Sequence, residues 1–288
     1  MSLHYDLHSH STASDGTLSP AELVDRAHGA GVDVLALTDH DTTEGLAEAA
    51  DAAGTGGLVL VPGVEISVTW RSQTIHVVGL HVDPADAALQ AGLAGLRRFR
   101  QWRAEEIGRR LAKAGITGVY EGARARARGE IISRTHFAHE LVAMGRAKSV
   151  RDVFRRYLVN DKPGHVPGQW AALDDAVAWI RGAGGQAVIA HPARYRMTAT
   201  KLRALVEEFV SAGGAGLEVV SGSHAVQDVH RMTGLARSHG LLASRGSDYH
   251  GPETAWVELG RLAELPAGLV PVWESEPWRA ARARWKAA

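Results

Sequence analysis

The chain contains no cysteine among its 288 residues. Disulfides, thiolate metal ligands and thiol nucleophiles are therefore excluded. Any metal must be held by His, Asp or Glu, a donor set that suits manganese, iron or zinc better than a soft copper site. No apolar run reaches the roughly 18 residues of a membrane span, so no membrane partner is expected. The N-terminus lacks a basic-then-apolar leader, and the expectation is a cytoplasmic protein. Net charge is also missing, with a formal value of zero. The length fits one large domain or a domain with an insertion.

That zero conceals an uneven distribution. Residues 84–165 hold 17 Lys and Arg against 8 Asp and Glu, a balance of +9, which leaves −9 elsewhere. An acidic body suits one that holds cations, and a basic segment suits one that meets an anion. A solvated, arginine-rich helical surface accounts for the basic segment equally well.

Short apolar runs alternate with helical patterns on either side of this segment. Val32–Leu37, Leu58–Val61, Ile75–Leu80, Gln186–Ala190, Gly216–Val220 and Leu241–Ser244 read as buried strands. Helical spacing occupies 173–182, 201–212 and 226–239, and Ser19-Pro20-Ala21-Glu22 forms a helix start with a capping box. Such alternation predicts parallel βα units. Between 84 and 165 strand signals fade, and Leu89, Leu93, Leu96, Ile107 and Leu111 recur at helical spacing. The stretches 132–144 and 150–158 also read as helices. The reading is a body of βα units over 1–83 and 166–288 with an α-helical insertion at 84–165. The basic, Trp-containing tail after Pro277 is either a terminal helix or a frayed end.

Histidines and carboxylates gather at the ends of these runs. His8 and His10 close the first one, and residues i and i+2 of a strand share a face. Two imidazoles there can grip one ion, and Asp15 can hold a second. His40, Glu65, His76, His191, Asp248 and His250 each lie beside a later strand signal. In βα barrels, catalytic groups cluster at strand ends. A lone histidine is more often a core or surface residue, so the weight rests on the set. Asp39 and Asp41 either orient His40 or place charge at a helix start. His81 and His165 read as structural, while His224, after a strand end, is open to a substrate-facing role.

The chain resembles the PHP family, the polymerase and histidinol phosphatase metal-dependent hydrolases. The matching motifs are Asp6-Leu7-His8-Ser9-His10-Ser11 with Asp15-Gly16, Thr38-Asp39-His40-Asp41, Pro62-Gly63-Val64-Glu65, His76, Ala190-His191-Pro192 and Ser247-Asp248-Tyr249-His250. The resemblance implies an α/β fold, a distorted (β/α)7 barrel, with a trinuclear site. It assigns His8, His10, Glu65 and Asp248 to a first metal. Glu65, His76 and His191 hold the second, and Asp15, His40 and His250 the third. Two or three divalent ions follow, manganese first and iron or zinc next. A metal-activated hydroxide would attack phosphorus, and His191, Asp248 or a metal-bound water would protonate the leaving group.

Within the insertion, Ser133 can cap a helix, which sets Arg134 and His136 at a positive helix end. Spacing alone allows a surface arginine and a packed histidine. The segment resembles the corresponding stretch of the PHP nucleotide phosphatases, which makes Arg134 and His136 phosphate contacts. Arg194 is a further candidate. That subgroup implies removal of the 3′-phosphate from nucleoside 3′,5′-bisphosphates, with 5′→3′ trimming of short RNA as the alternative. A histidinol-phosphate phosphatase needs only one phosphate pocket. A binding module without turnover is opposed by the complete ligand set.

Overall fold

Side-chain alternation along the strands decides what faces inward. A computed structural model describes residues 3–253 and 257–287, with all side chains except those of Thr55 and residues 282–287. Seven strands follow one another in chain order around a nearly closed barrel. They are Tyr5–Asp6 (β1), Val34–Leu37 (β2), Val59–Trp70 (β3), Gln73–Leu80 (β4), Gln186–Ile189 (β5), Gly216–Ser221 (β6) and Leu242–Gly246 (β7). The Leu7 amide donates to the Arg245 carbonyl at 3.0 Å, and Ser9 bridges Tyr249, which draws β1 toward β7. Val34 and Ala36 point into the interior with Leu7, Val61, Val78, Leu80 and Val188. Leu35 and Leu37, at the alternate positions, pack outward with Leu23, Val24 and Ala49.

These outward residues lie beneath Pro20–Gly29 (α1) and Leu46–Gly56 (α2). Ser19 and Glu22 form the expected reciprocal cap, at 3.2 and 2.7 Å. The insertion contains Ala87–Lys113 (α3), Val119–Arg126 (α4), Arg134–Ala143 (α5) and Val150–Val153 (α6), the last running into a π-helical turn at Phe154–Leu158. Leu173–Gly182 (α7), Ala199–Ser211 (α8) and Val226–His239 (α9) complete the outer layer. Glu276–Ala287 (α10) settles the tail as a helix, and its Trp278 enters the apolar end of the barrel interior. Among the described residues no helix is long and apolar enough to cross a membrane.

The expectation of parallel βα units throughout is corrected at β3 and β4. These strands form an antiparallel hairpin, and β4 also runs antiparallel to β5. The turn is Arg71-Ser72, with φ of 44° and 66°. Positive φ at both positions is the I′ geometry of a two-residue hairpin, normally signalled by Asn-Gly. Arg-Ser gives no such signal. The reversal puts the N-terminal end of β4, with His76, where the other strands end.

Helix α3 belongs to two cores. Leu89, Leu93 and Leu96 pack in the outer core of the barrel, and Ala104, Ile107 and Leu111 in a separate core with Phe137, Leu141 and Val153. A rod of about 40 Å thus passes unbroken from one to the other. Leu93→Ala and Ile107→Ala should each cost about 2–5 kcal/mol. Urea unfolding followed by circular dichroism should give one shared transition for both variants. A separate early transition for Ile107→Ala would show that the two cores unfold independently.

Candidate metal centre

At the other end of the barrel the interior positions change from apolar to charged. Glu65 on β3 lies inward between the outward-facing Val64 and Ile66, and is fully buried. Five imidazoles converge on its carboxylate. His8 Nε2, His76 Nδ1 and His191 Nε2 lie 3.3, 2.8 and 3.1 Å from Oε1. His10 Nε2 and His40 Nδ1 lie 3.4 and 2.7 Å from Oε2. Asp248 Oδ1 is 3.5 Å from His8 Nε2 and 3.2 Å from His10 Nε2. Asp15 Oδ1 sits 3.3 Å from His250 Nε2 and 3.8 Å from His40 Nε2. All nine sequence-predicted ligands therefore share one neighbourhood.

The donor atoms of this cluster fit divalent cations. Three overlapping groups have ligand atoms within 4.8 Å of one another: His8, His10, Glu65 and Asp248; His10, Asp15, His40 and His250; and His40, Glu65 and His76. Burial, then His250 and His40, pushes the His10 ring down to about 3, and burial pushes His76 to about 4. These rings are neutral and offer lone pairs. Burial alone would raise Glu65, but His76, His40 and His8 hold it well below the usual carboxylate range. The buried oxygens Asp15 Oδ1 and Glu65 Oε2 lack hydrogen-bond partners among the described residues. The neutral His10 and His76 rings and the ionised Glu65 carboxylate are ligands for hard or borderline cations, whereas, against burial, Glu218 raises the His8 ring and Asp15 raises His250 to about 9. His191 and Asp248 hold left-handed backbone, with φ of 28° and 56°, a strain of about 1–3 kcal/mol each that functional sites retain.

Several supporting residues had escaped the sequence reading. Glu218 points inward from the middle of β6, between the outward-facing Leu217 and Val219. Its Oε1 meets His8 Nδ1 at 2.7 Å, and its Oε2 accepts the His191 amide at 2.6 Å. A charge within an apolar strand was the available signal. Arg100 and Arg103 of α3 line a cavity of ≈ 180 Å³ over the cluster, with Arg134, Arg194 and Trp170.

Other placements correct the sequence reading. Asp39 and Asp41 make no hydrogen bond to the His40 ring. Asp39 accepts from the Ser11 amide and from the Ser11 and Ser14 hydroxyls at 2.8, 2.6 and 2.5 Å. Asp41 accepts from Arg100 at 2.6 Å and from the Ser67 amide at 2.7 Å. Arg134 lines the cavity, but His136 does not. Its Nδ1 accepts the Ser133 amide at 3.1 Å, and its ring faces a neighbouring groove. Arg194 lines the rim, where its guanidinium pairs with Asp248. His224 turns both ring nitrogens to main chain, at the Val219 carbonyl and the Ala193 amide.

A barrel with this cluster at its strand ends defines a metal-dependent hydrolase. Residues 6–157 match the model of the PHP domain, and the chain belongs to the PHP family. It is 51% identical over 269 residues to the 3′,5′-nucleoside bisphosphate phosphatase of Chromobacterium violaceum, covering 93% of this chain and 94% of that one. It is 45% identical over 272 residues to the 5′-3′ exoribonuclease Rnm of Escherichia coli K12, covering 94% and 92%. A solved structure from Chromobacterium violaceum, described as an amidohydrolase with bound sulfate and no metal, superposes with a TM-score of 0.91 at 50% identity, covering 98% of this chain and 96% of that one.

Glu218 fixes the His8 ring and the His191 main chain at once. Glu218→Gln should retain the circular dichroism spectrum and lower Mn²⁺ affinity by about 10–100-fold, measured by titration calorimetry. Unchanged affinity would remove Glu218 from the metal centre.

Proposed function

We propose that this hydrolase removes the 3′-phosphate from nucleoside 3′,5′-bisphosphates. The observation that carries the proposal is Arg103. The residue is only 8% exposed, lines the cavity, and has no carboxylate partner among the described residues. Nε and Nη2 both donate to the Val166 carbonyl, at 3.1 and 3.0 Å. Burial, with Arg134 and Arg100 nearby, pushes it down to about 8. A buried charge of this kind calls for a counter-ion. A phosphate held between Arg103 and Arg134 supplies one. The cavity thus has two anion sites, the cluster for the scissile phosphate and the arginines for the second. A histidinol-phosphate substrate would fill only one.

We assign the first cation to His8, His10, Glu65 and Asp248, the second to Glu65, His76 and His191, and the third to Asp15, His40 and His250. Manganese is the first choice, ahead of iron or zinc. Cations bound there supply an acidified water and neutralise phosphate oxygens. Glu218 holds His8 and His191 in place, and Trp170 keeps the Arg100 and Arg103 guanidinium carbons 5.0 and 5.3 Å from its ring centre. His191 and Asp248 are our candidates for carrying the proton to the leaving 3′-oxygen. The reading includes a cytoplasmic location, where nucleotide substrates occur. A second reading, 5′→3′ hydrolysis of short RNA, is favoured by a groove on the far side of Asp15.

Protein loaded with Mn²⁺ should release phosphate from adenosine 3′,5′-bisphosphate, and chelation should abolish release. His10→Ala should lose metal and activity with the fold retained; full activity would sink the assignment. Arg103→Ala should raise KM for the bisphosphate by about 10–100-fold, the loss of one charged hydrogen-bond set. It should change turnover of a nucleoside 3′-monophosphate little. Equal losses on both substrates would show that Arg103 does not read the second phosphate.

A further inference from the structure

A second depression, of ≈ 560 Å³, adjoins the cluster beyond Asp15. Thr12 and Thr17 line it from the loop after β1, and Arg126, Arg128, His136 and His139 from the insertion. The two walls meet where Gly129 packs on the loop; a Cβ there would lie 2.9 Å from the Ala13 carbonyl oxygen. Asp15 and Thr135 line both the groove and the cavity, and Thr135 Oγ1 donates to Asp15 Oδ2 at 3.1 Å. This pair separates the groove from the cluster. Arg134 and His136 stand two residues apart at the start of α5, about 200° around the helix. Arg134 accordingly faces the cavity and His136 the groove.

Basic side chains line the groove. His136 Nδ1 accepts the Ser133 amide, so the neutral ring carries its hydrogen on Nε2. Burial favours that neutral form. His139 Nε2 is buried without a partner among the described residues. Arg128 is exposed and makes no ion pair or hydrogen bond among them. Arg126 is held by Glu140 at 2.8 Å. One carboxylate, Glu253, also lines the groove and accepts from Thr17 Oγ1 at 3.3 Å.

We propose that this groove carries the downstream strand of a short RNA, seating the nucleotides that follow the scissile phosphate. The inference rests on the phosphohydrolase reading above. In a bisphosphate and in RNA the same bond breaks. The water oxygen joins phosphorus, the P–O3′ bond opens, and O3′ takes the proton. In RNA the phosphate also carries the O5′ of the next nucleotide and stays on it after cleavage. That chain must leave the cluster on the side away from the first nucleotide. With the 5′-phosphate at Arg103 and Arg134, the downstream nucleotides pass over the Asp15–Thr135 pair into the groove. Its lining holds no Phe, Tyr or Trp among the described residues. Contact is therefore to backbone phosphates, independent of sequence.

The test uses the whole chain with a 5′-phosphorylated, 3′-fluorescein tetranucleotide RNA, and compares wild type with Arg128→Ala/His139→Ala. Fluorescence anisotropy in EDTA should show RNA affinity falling by about tenfold in the variant, the size of one lost charged contact. The salt slope should become shallower by about 0.7. Adenosine 3′,5′-bisphosphate, measured by displacement, should bind equally to both proteins. With Mn²⁺, kcat/KM on the RNA should fall in parallel while phosphate release from the bisphosphate is kept. Unchanged RNA affinity, or equal losses on both ligands, would overturn the groove assignment. Wild type that hydrolyses the bisphosphate but neither binds nor cuts the RNA would overturn it alone. Wild type that hydrolyses neither would overturn the phosphohydrolase reading and the groove with it.

Discussion

The rest of the structure is arranged around one buried carboxylate. Glu65 is wholly inside the protein, where an unpaired charge costs several kcal/mol. Its position makes demands on the chain around it. The strand that carries it must run far enough into the barrel to centre it among five imidazoles. Those imidazoles come from the segment after β1, the loop after β2, β4 and the end of β5. β3 does this by pairing in parallel with β2 up to Pro62 and turning antiparallel to β4 from Gly63. Gly63 lies where the backbones crowd, since a Cβ there would come 2.9 Å from the Gly79 carbonyl and 2.7 Å from Thr38. A larger residue would push β3 off its neighbours and move Glu65 out of register.

The acids flanking His40 show how the centre is held. Asp39 gathers the Ser11–Ser14 loop, which places Asp15. Asp41, in left-handed backbone with φ of 53°, binds Ser67 on β3 and Arg100 on α3. One tripeptide therefore ties the first loop, the central strand and the insertion to His40. The imidazole is positioned by what its neighbours anchor. Because α3 also spans both apolar cores, the arginines above the cluster are fixed relative to it by packing and by a buried ion pair.

Legibility in the sequence followed the locality of each signal. The residues of the cluster were readable because each lies at the edge of an apolar run, β2 showed as an apolar run, and α7 and α9 announced themselves by periodicity. The hairpin reversal at Arg71-Ser72 was not readable, because its residues lack the usual preference for positive φ. Glu218 was hidden for a different reason. A single acid in a six-residue strand says nothing about which face it occupies until the register is known. The direction of His136 depended on the rotation of α5, which capping residues do not specify. Arg100 and Arg103 were lost in a basic segment where most arginines are solvated, and only burial separates them.

The split of charge along the chain, −9 in the barrel segments and +9 in the insertion, has a small buried counterpart at the site. Carboxylates concentrate where cations would sit, and guanidinium groups concentrate above them. Neither half is electrically comfortable alone. In direct contact the two would neutralise each other, as Arg194 already does with Asp248 at the rim. Deeper in, the cavity keeps them apart. Arg100 is committed to Asp41, and Arg103 to a main-chain carbonyl, so neither reaches Glu65 or Asp15. Neutral and main-chain partners hold the guanidinium of Arg103 in place while leaving its charge uncompensated. A site built this way favours a ligand that is anionic at both ends of the cavity, and favours it more strongly than two separate anions. One molecule carrying both charges loses its freedom of movement only once.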